Sequence, residues 1–524
     1  MTMKLKFKLR SQQSNGKGRV WPLEQKTSRS GRNPLLFVTD TYQRAKRFFG
    51  NLKKSYILMT KLEKVGASVF LVLALILTSV KSYRNYITET VSAPTKGGDY
   101  TEAMVGEAKF LNPVVAQSDA EKSVTHLMFQ GLVKVTGPNT VLPDAAESYE
   151  ISSDGTRYTF HLKSGNQFSD GQPLTANDVA QTVAIIQNPS LKSPLYKTWS
   201  GVTTEVIDGN TIDFVLPKAY GPFIYDCDFG IMPSHLSPDD FSKSLVGSGP
   251  FQFVKSITAE GGKISEVDLA RNDAYSGDRP YLDTATVLFF SNIHDAVNQF
   301  TTDTKTNAVF GAESPSGAKL DYNSSRELAL IFNLRKDAFK DVAVRQKILA
   351  GEKFDQPLSL TLAALDAPRQ HTRATALAKK FAAENIKVKI NYYDSVDFQD
   401  HIVKKDYDLV LYGFDFGDDR DPYTYWHSSQ INELNLSGWS DKSSDILMED
   451  ARMLSDTAAR NEKYDKVFAK IRSDAIAEFY DPIRYEFYVK SQVKGIRSIT
   501  GTQVYSRYDT IGKWYVDEKR VRKP

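Results

Sequence analysis

Residues Val65 to Val80 read VGASVFLVLALILTSV, an uncharged apolar run of sixteen residues bounded by Lys64 and Lys81. As a helix such a run spans about 24 Å, a little less than the roughly 30 Å hydrocarbon core of a bilayer. Flanking lysines reach the headgroups and cover the difference. The charge distribution changes at the same place. Residues 1–64 hold 16 Lys or Arg against Glu24, Asp40 and Glu63, whereas the remainder carries 51 basic and 60 acidic residues. The sequence therefore predicts a transmembrane helix over 65–80, lengthened upstream by Tyr56 to Met59. The basic segment 1–64 stays in the cytoplasm and the chain after Lys81 is exported.

Two other readings of the run fit the sequence less well. A core helix does not account for the flanking charge step. A cleaved signal peptide conflicts with a 64-residue basic leader and with Thr78 to Ser82, which offers no small-x-small cleavage site. The basic segment suits phosphate contacts at Lys4, Lys6, Lys8 and Arg10, but Phe48, Phe49 and Leu52 among its cations fit an interfacial helix beside anionic lipid better, so no nucleic-acid partner is expected. Residues 1–35 read as disordered.

Beyond the anchor the composition is that of a folded soluble body, with 41% hydrophobic and 25% charged residues in the whole chain. One cysteine, Cys227, excludes an intrachain disulfide framework, a thiolate zinc cage and a lipid-bearing cysteine near the amino terminus. Polar residues 81–99, with Pro94, Gly97 and Gly98, read as a tether. Tyr158 to Leu162 alternates as a strand, and Thr175 caps a helix to Ile186 with Asp178 in its first turn. Thr372 to Asn385 is an amphipathic helix followed by a strand over Lys387 to Tyr392, and Asp408 to Tyr412 is a strand running into a Gly- and Asp-rich loop. This alternation predicts an α/β body of more than one lobe.

Catalytic signatures are absent. There is no Walker loop, nucleophile elbow or HExxH helix, and none of the seven histidines stands three or four residues from another. Neither an enzyme activity, a metal site nor a cofactor is expected. An extracellular hydrolase stays open only because its carboxylates need not be close in sequence.

A series of segments, in order, resembles the extracellular solute-binding proteins of family 5, which serve peptide and nickel ABC importers. They are Phe110-Leu111-Asn112-Pro113, Phe129-Gln130-Gly131-Leu132-Val133, Leu142-Pro143-Asp144, Ser153 to Leu162, and Phe168 to Val179. Later come Gly247-Ser248-Gly249-Pro250-Phe251, Arg271-Asn272-Asp273-Ala274-Tyr275, Pro280-Tyr281-Leu282-Asp283, Phe332-Asn333-Leu334 and Asn435 to Asp441. The resemblance covers about residues 100–524. It implies a two-lobed α/β periplasmic-binding-protein-like fold with an extended first lobe, preceded here by one transmembrane helix. Lobe I is expected over 100–290 with a return at 491–524, and lobe II over 291–490, with crossing strands near 286–290 and 485–490.

The resemblance also implies a function: a membrane-tethered extracellular substrate-binding protein that captures peptides between its lobes and delivers them to an ABC permease and its ATPase. A tethered peptide receptor or chaperone-like binder without a transporter is the alternative. In the family an aspartate in a Gly-Asp-x-x-Asp-Pro loop pairs with the amino group of bound peptide. Asp418, after Gly417, matches it. Phe414, Phe416 and Trp426 are candidate apolar walls, equally readable as core. After Leu349 the sequence lacks several tens of residues that the family usually carries in lobe II. That piece can line the pocket, so cargo length and class stay open.

Overall fold

The computed structural model describes residues 44, 46, 47, 50, 51, 53–311, 315 and 317–523. Most of the basic segment, including Phe48, Phe49 and Leu52 and the expected disorder over 1–35, lies outside the described residues. The chain divides into two compact units, residues 1–91 with 522–524, and residues 92–521.

In the first unit a helix runs over Lys61–Glu89, 29 residues or about 43 Å. None of its residues is buried, and its apolar window has a mean hydropathy of 2.0, long and apolar enough to cross a membrane. Its start differs from the expectation. Residues 53–58 are helical, but the chain leaves the helix at Met59, and Thr60 opens the long helix as its N-cap. The Glu63 carboxylate accepts the Thr60 N–H at 2.8 Å, and the Thr60 hydroxyl accepts the Glu63 N–H at 3.4 Å. This reciprocal cap ends the upstream turn, so Tyr56 to Met59 do not lengthen the helix. At its other end the helix continues through the first nine residues of the expected tether, Lys81 to Glu89.

The second unit is built on a ten-stranded sheet. In chain order its strands are β1 Asp99–Val105, β2 Phe251–Thr258, β3 Ile264–Arg271, β4 Thr284–Phe290, β5 Ala308–Phe310, β6 Ala318–Phe332, β7 Leu358–Leu365, β8 Ile386–Tyr393, β9 Leu409–Asp415 and β10 Ala477–Val489. Their spatial order is β8-β7-β9-β6-β10-β5-β1-β4-β3-β2. A separate four-stranded antiparallel sheet, Ala146–Ile151, Arg157–Leu162, Thr211–Val215 and Thr203–Asp208, extends the amino-terminal side. The helix Ala176–Ile186 packs on it, capped as expected at Thr175, whose N–H and hydroxyl both donate to Asp178 at 2.7 and 2.8 Å.

Buried side chains separate into cores on either side of one line. The larger core gathers residues from Tyr100 to Phe289 with Phe487, Val489 and the stretch Val493 to Trp514. The other side holds two cores drawn from Leu328 to Ala477, on the two faces of β6, β7 and β9. Among the described residues β6 and β10 supply buried side chains to both sides: Tyr322 and Phe487 to the first, Ala329, Ile331 and Ala477 to the second. These two long strands pair regularly from Ala318↔Val489 to Asn323↔Arg484, lose register, and resume at Glu327↔Pro482. The interruption falls between the cores, and Ser324, Ser325 and Arg326 have no β10 partner there, although Arg326 stays paired with Asp415 of β9. The fold is the two-lobed α/β arrangement expected from the sequence.

The carboxyl-terminal return is fixed by charge. Arg507 and Glu102 are both fully buried, with Arg507 Nη2 2.8 Å from Glu102 Oε1. Ser123 and Tyr508 supply oxygens to the same guanidinium. Such a pair is tolerated in a core because its remaining hydrogen-bonding positions are filled.

Candidate functional site

The β9 strand ends in a tight loop that carries four carboxylates over seven residues, Asp415, Asp418, Asp419 and Asp421. Its shape follows from local chemistry. Asp415 accepts the Gly417 N–H at 3.2 Å and the Ser325 hydroxyl at 2.6 Å, tying the turn to the interruption in β6. Gly417 has φ +64° and Arg420 φ +56°, so the chain twice enters the left-handed region, which glycine does without strain. Asp421 accepts the Tyr423 N–H at 2.9 Å and starts the short helix Tyr423–Trp426.

Each carboxylate has a distinct environment. Asp419 is buried and bound to Arg460 Nε at 2.7 Å, with the Tyr464 hydroxyl at 3.3 Å. Burial still outweighs that partner and pushes it up to about 6. Asp421 pairs with Arg452 at 2.8 Å, and burial raises it as well. Asp418 is half-buried and, among the described residues, has no cationic partner. It accepts Thr502 Oγ1 at 2.6 Å and Gln503 Nε2 at 2.9 Å, both from the carboxyl-terminal return, and burial raises it against those two donors.

Opposite the loop, the 3₁₀ segment Gly221–Asp228 brings Asp226 and Asp228, one on each side of Cys227. Burial, then mutual repulsion, pushes Asp226 up to about 7. Asp228 also rises to about 7, through burial first and then through Asp418, although Tyr505 donates to it at 3.0 Å. Among the described residues none donates a hydrogen bond to Asp226. The site therefore joins three carboxylates, Asp226, Asp228 and Asp418, from both sides of the interruption between the cores, and among the described residues none has a cationic partner in contact. Partly desolvated, this arrangement favours a cation with N–H donors.

The aromatic candidates lie behind the loop. Phe414 and Trp426 are 1% exposed and their rings are 5.4 Å apart, within the second core. Phe416, 7% exposed, stacks on Phe414 at 5.2 Å and also lines a cavity. That cavity, about 580 Å³, lies between Lys197 to Tyr220 on one side and Asp415 to Arg452 on the other. A second cavity, about 280 Å³, sits in the first core beside Asp228, Gln503 and Tyr505. Sequence reasoning isolated Asp418 and Gly417 but missed Asp226, Asp228, Thr502, Gln503 and Arg326. The Asp-Cys-Asp triplet was visible, yet nothing local in it announces a site 190 residues upstream of its partner Asp418.

Residues 140–351 match the family model described as Bacterial extracellular solute-binding proteins, family 5 Middle. The oligopeptide-binding protein AppA of Bacillus subtilis is 24% identical over 546 residues, covering 86% of this chain and 98% of that protein. The dipeptide-binding protein of Escherichia coli is 26% identical over 306 residues, 50% of this chain and 55% of that protein. Among solved structures, the ABC transporter substrate-binding protein CtaP of Listeria monocytogenes superposes with a TM-score of 0.69 at 20% identity, over 81% of this chain and all of that one. Bacillus subtilis AppA in complex with a nonapeptide gives 0.62 at 21% identity, over 81% of this chain and 100% of that one.

Proposed function

Because the chain belongs to the extracellular solute-binding proteins of family 5, we propose that it captures peptides between its two lobes and hands them to an ABC permease and its ATPase. The observation that carries the peptide assignment is the cluster of Asp226, Asp228 and Asp418, which among the described residues has no cation in contact although burial raises all three carboxyls. A peptide α-ammonium supplies three N–H donors and one positive charge. Bound there it replaces the Thr502 and Gln503 contacts of Asp418 and offsets the burial, and after it the repulsion, that holds Asp226 and Asp228 up at about 7.

In this reading Asp418 is the principal amine ligand, and Gly417 gives the loop the positive φ that presents it. Phe416 is the aromatic residue that meets cargo, braced from behind by Phe414 and Trp426. Lobe I comprises about residues 100–290 and 491–524 and lobe II 291–490. The hinge lies where β6 and β10 lose register. The helix Lys61–Glu89 anchors the protein in the cell membrane as a single pass, with its basic leader in the cytoplasm and its body outside. Tethering keeps captured cargo close to the permease, the role a lipid anchor serves elsewhere.

The test is mass spectrometry of small molecules released on denaturing the purified full chain, with Asp418→Ala prepared in parallel. Peptides present in the parent and depleted in the variant are the expected result. Equal retention removes Asp418 from the site, and a non-peptide cargo overturns the peptide assignment.

A further inference from the structure

The helix Lys61–Glu89 continues for nine residues past Val80, where its apolar run ends. The extension reads Lys81-Ser82-Tyr83-Arg84-Asn85-Tyr86-Ile87-Thr88-Glu89 and is exposed throughout. A second piece of chain meets it there. The Lys523 N–H donates to the Glu89 carbonyl oxygen at 2.8 Å, which holds Arg522 and Lys523 at the end of the helix although about 430 residues separate them from it in sequence. The Thr90 hydroxyl donates to the Tyr86 carbonyl and fixes the exit from the last turn. The two segments go on as a two-stranded sheet, Thr90–Pro94 with Glu518–Arg522.

The charge at this end is one-sided. Segments 81–91 and 522–523 carry four cations, Lys81, Arg84, Arg522 and Lys523, and one carboxylate, Glu89. All four cations are exposed, and among the described residues none of their side chains has a hydrogen-bond or ion-pair partner. Cations gathered in this way repel one another, and a polyanionic surface removes that cost. Tyr83 and Tyr86, 66% and 50% exposed, lie three residues apart on one helix face. Their rings combine an apolar body with a polar tip, the form that concentrates where hydrocarbon meets headgroups.

Helix length sets the depth. At about 43 Å the helix matches the roughly 40–45 Å of a bilayer with its headgroups. Centring the apolar run in the hydrocarbon core puts Lys81 to Tyr86 in the headgroup layer on the exported side, with Arg522 and Lys523 within a side chain's reach of its outer edge. These cations do not reverse the orientation, because the leader holds 16 Lys or Arg.

We propose that Lys81, Arg84, Arg522 and Lys523 form a basic collar that binds the headgroups of anionic phospholipid in the outer leaflet. The inference rests on the reading of Lys61–Glu89 as a membrane span. The guanidinium groups take headgroup phosphates through paired hydrogen bonds, and the lysines act as point charges. Two segments far apart in sequence thereby grip one patch of membrane, so the anchor is a helix together with a strand end.

The experiment places the full chain in bilayers of phosphatidylcholine with about one third phosphatidylglycerol and attaches a fluorophore to Asn85→Cys. The native Cys227 is fully buried and stays unlabelled. Quenching is measured with each lipid in turn spin-labelled close to its headgroup, with the collar intact and with Lys81→Gln/Arg84→Gln/Arg522→Gln/Lys523→Gln. With the collar intact, phosphatidylglycerol should quench about fivefold more effectively than phosphatidylcholine, and the excess should shrink as salt rises from about 0.05 M to about 0.5 M. The fourfold variant should lose the excess. The salt series needs no replacement of the four cations and stands whether or not that variant folds. Equal quenching by the two lipids overturns the inference and leaves the anchor intact. Quenching by neither places Asn85 away from any bilayer and overturns both. An excess that survives the fourfold replacement, or that salt leaves unchanged, assigns the lipid to other residues and also overturns the inference.

Discussion

Arg326, in β6 where its pairing with β10 lapses, grips Asp119 in two parallel bonds, Nη1 to Oδ2 at 2.9 Å and Nη2 to Oδ1 at 2.7 Å. Asp119 belongs to the first turn of the helix Asp119–Met128 in the first core, so the pair bridges the two sides of the cleft. Its Nε also reaches Asp415 Oδ2 at 3.3 Å. A bidentate pair at partial exposure contributes about 1 kcal/mol, at the upper end for accessible ion pairs. Arg326→Gln is expected to weaken cargo binding roughly fivefold and to enlarge the radius of gyration of the ligand-free protein, with little change in melting temperature. Equilibrium binding and solution scattering measure the two effects.

The proposed closure also depends on one glycine. A Cβ on Gly221 would stand 1.7 Å from the Leu454 carbonyl oxygen, an approach only glycine allows. Gly221→Ala should hold the walls apart, abolishing retention of trapped cargo while each core folds. Scattering with and without cargo would then show the same expanded particle.

Acidity acts through Asp226 and Asp228. Both carboxyls hold protons in the folded protein up to about pH 7, whereas an unfolded aspartate loses its proton near 3.9. The folded state binds more protons across that interval, so stability falls as pH rises from about 4 to about 7. Asp226→Asn, which mimics the protonated form, should raise the ligand-free melting temperature by roughly 2 °C at pH 8 and leave it unchanged at pH 4. Amine binding follows the opposite course, since it needs ionised carboxylates. Affinity should rise between about pH 5 and pH 7, then fall above about 8 as the peptide amine deprotonates.

The buried Arg507–Glu102 pair predicts a large stability effect remote from cargo. Removing one partner leaves a charge in a core without compensation, which costs about 3–5 kcal/mol. Arg507→Met should therefore lower the denaturant midpoint strongly. Glu102→Gln/Arg507→Met should recover much of the loss, a coupling that a double-mutant cycle measures.

Local pattern carried much of the fold. Thr175, Asp178 and the alternation in Tyr158 to Leu162 marked a helix and a strand that stand where the sequence placed them, because capping and period-two burial are properties of adjacent residues. The apolar run likewise announced its helix, but not that Thr60 and Glu63 would cap it and exclude Tyr56 to Met59. The site was less legible. Asp418 came from a loop motif, while Asp228, Gln503 and Arg326 reach its surroundings from strands and turns separated by 85 to 190 residues. Such convergence is set by sheet order, in which β5 and β10 lie between β1 and β6, and no window of sequence contains it. Phe414 and Trp426 show the converse limit: an aromatic beside a binding loop has the same local signature whether it faces cargo or braces the loop from the core.

The most direct test of amine recognition is the affinity of one peptide pool, measured with free and with acetylated amino termini, for the full chain and for Asp418→Asn. Losing one partner of a desolvated charge pair costs about 2–5 kcal/mol, so the parent should bind free-amine peptides at least about thirtyfold more tightly than acetylated ones. Asp418→Asn should erase most of that difference. Equal binding of both forms by the parent, or an undiminished preference in Asp418→Asn, would contradict the account.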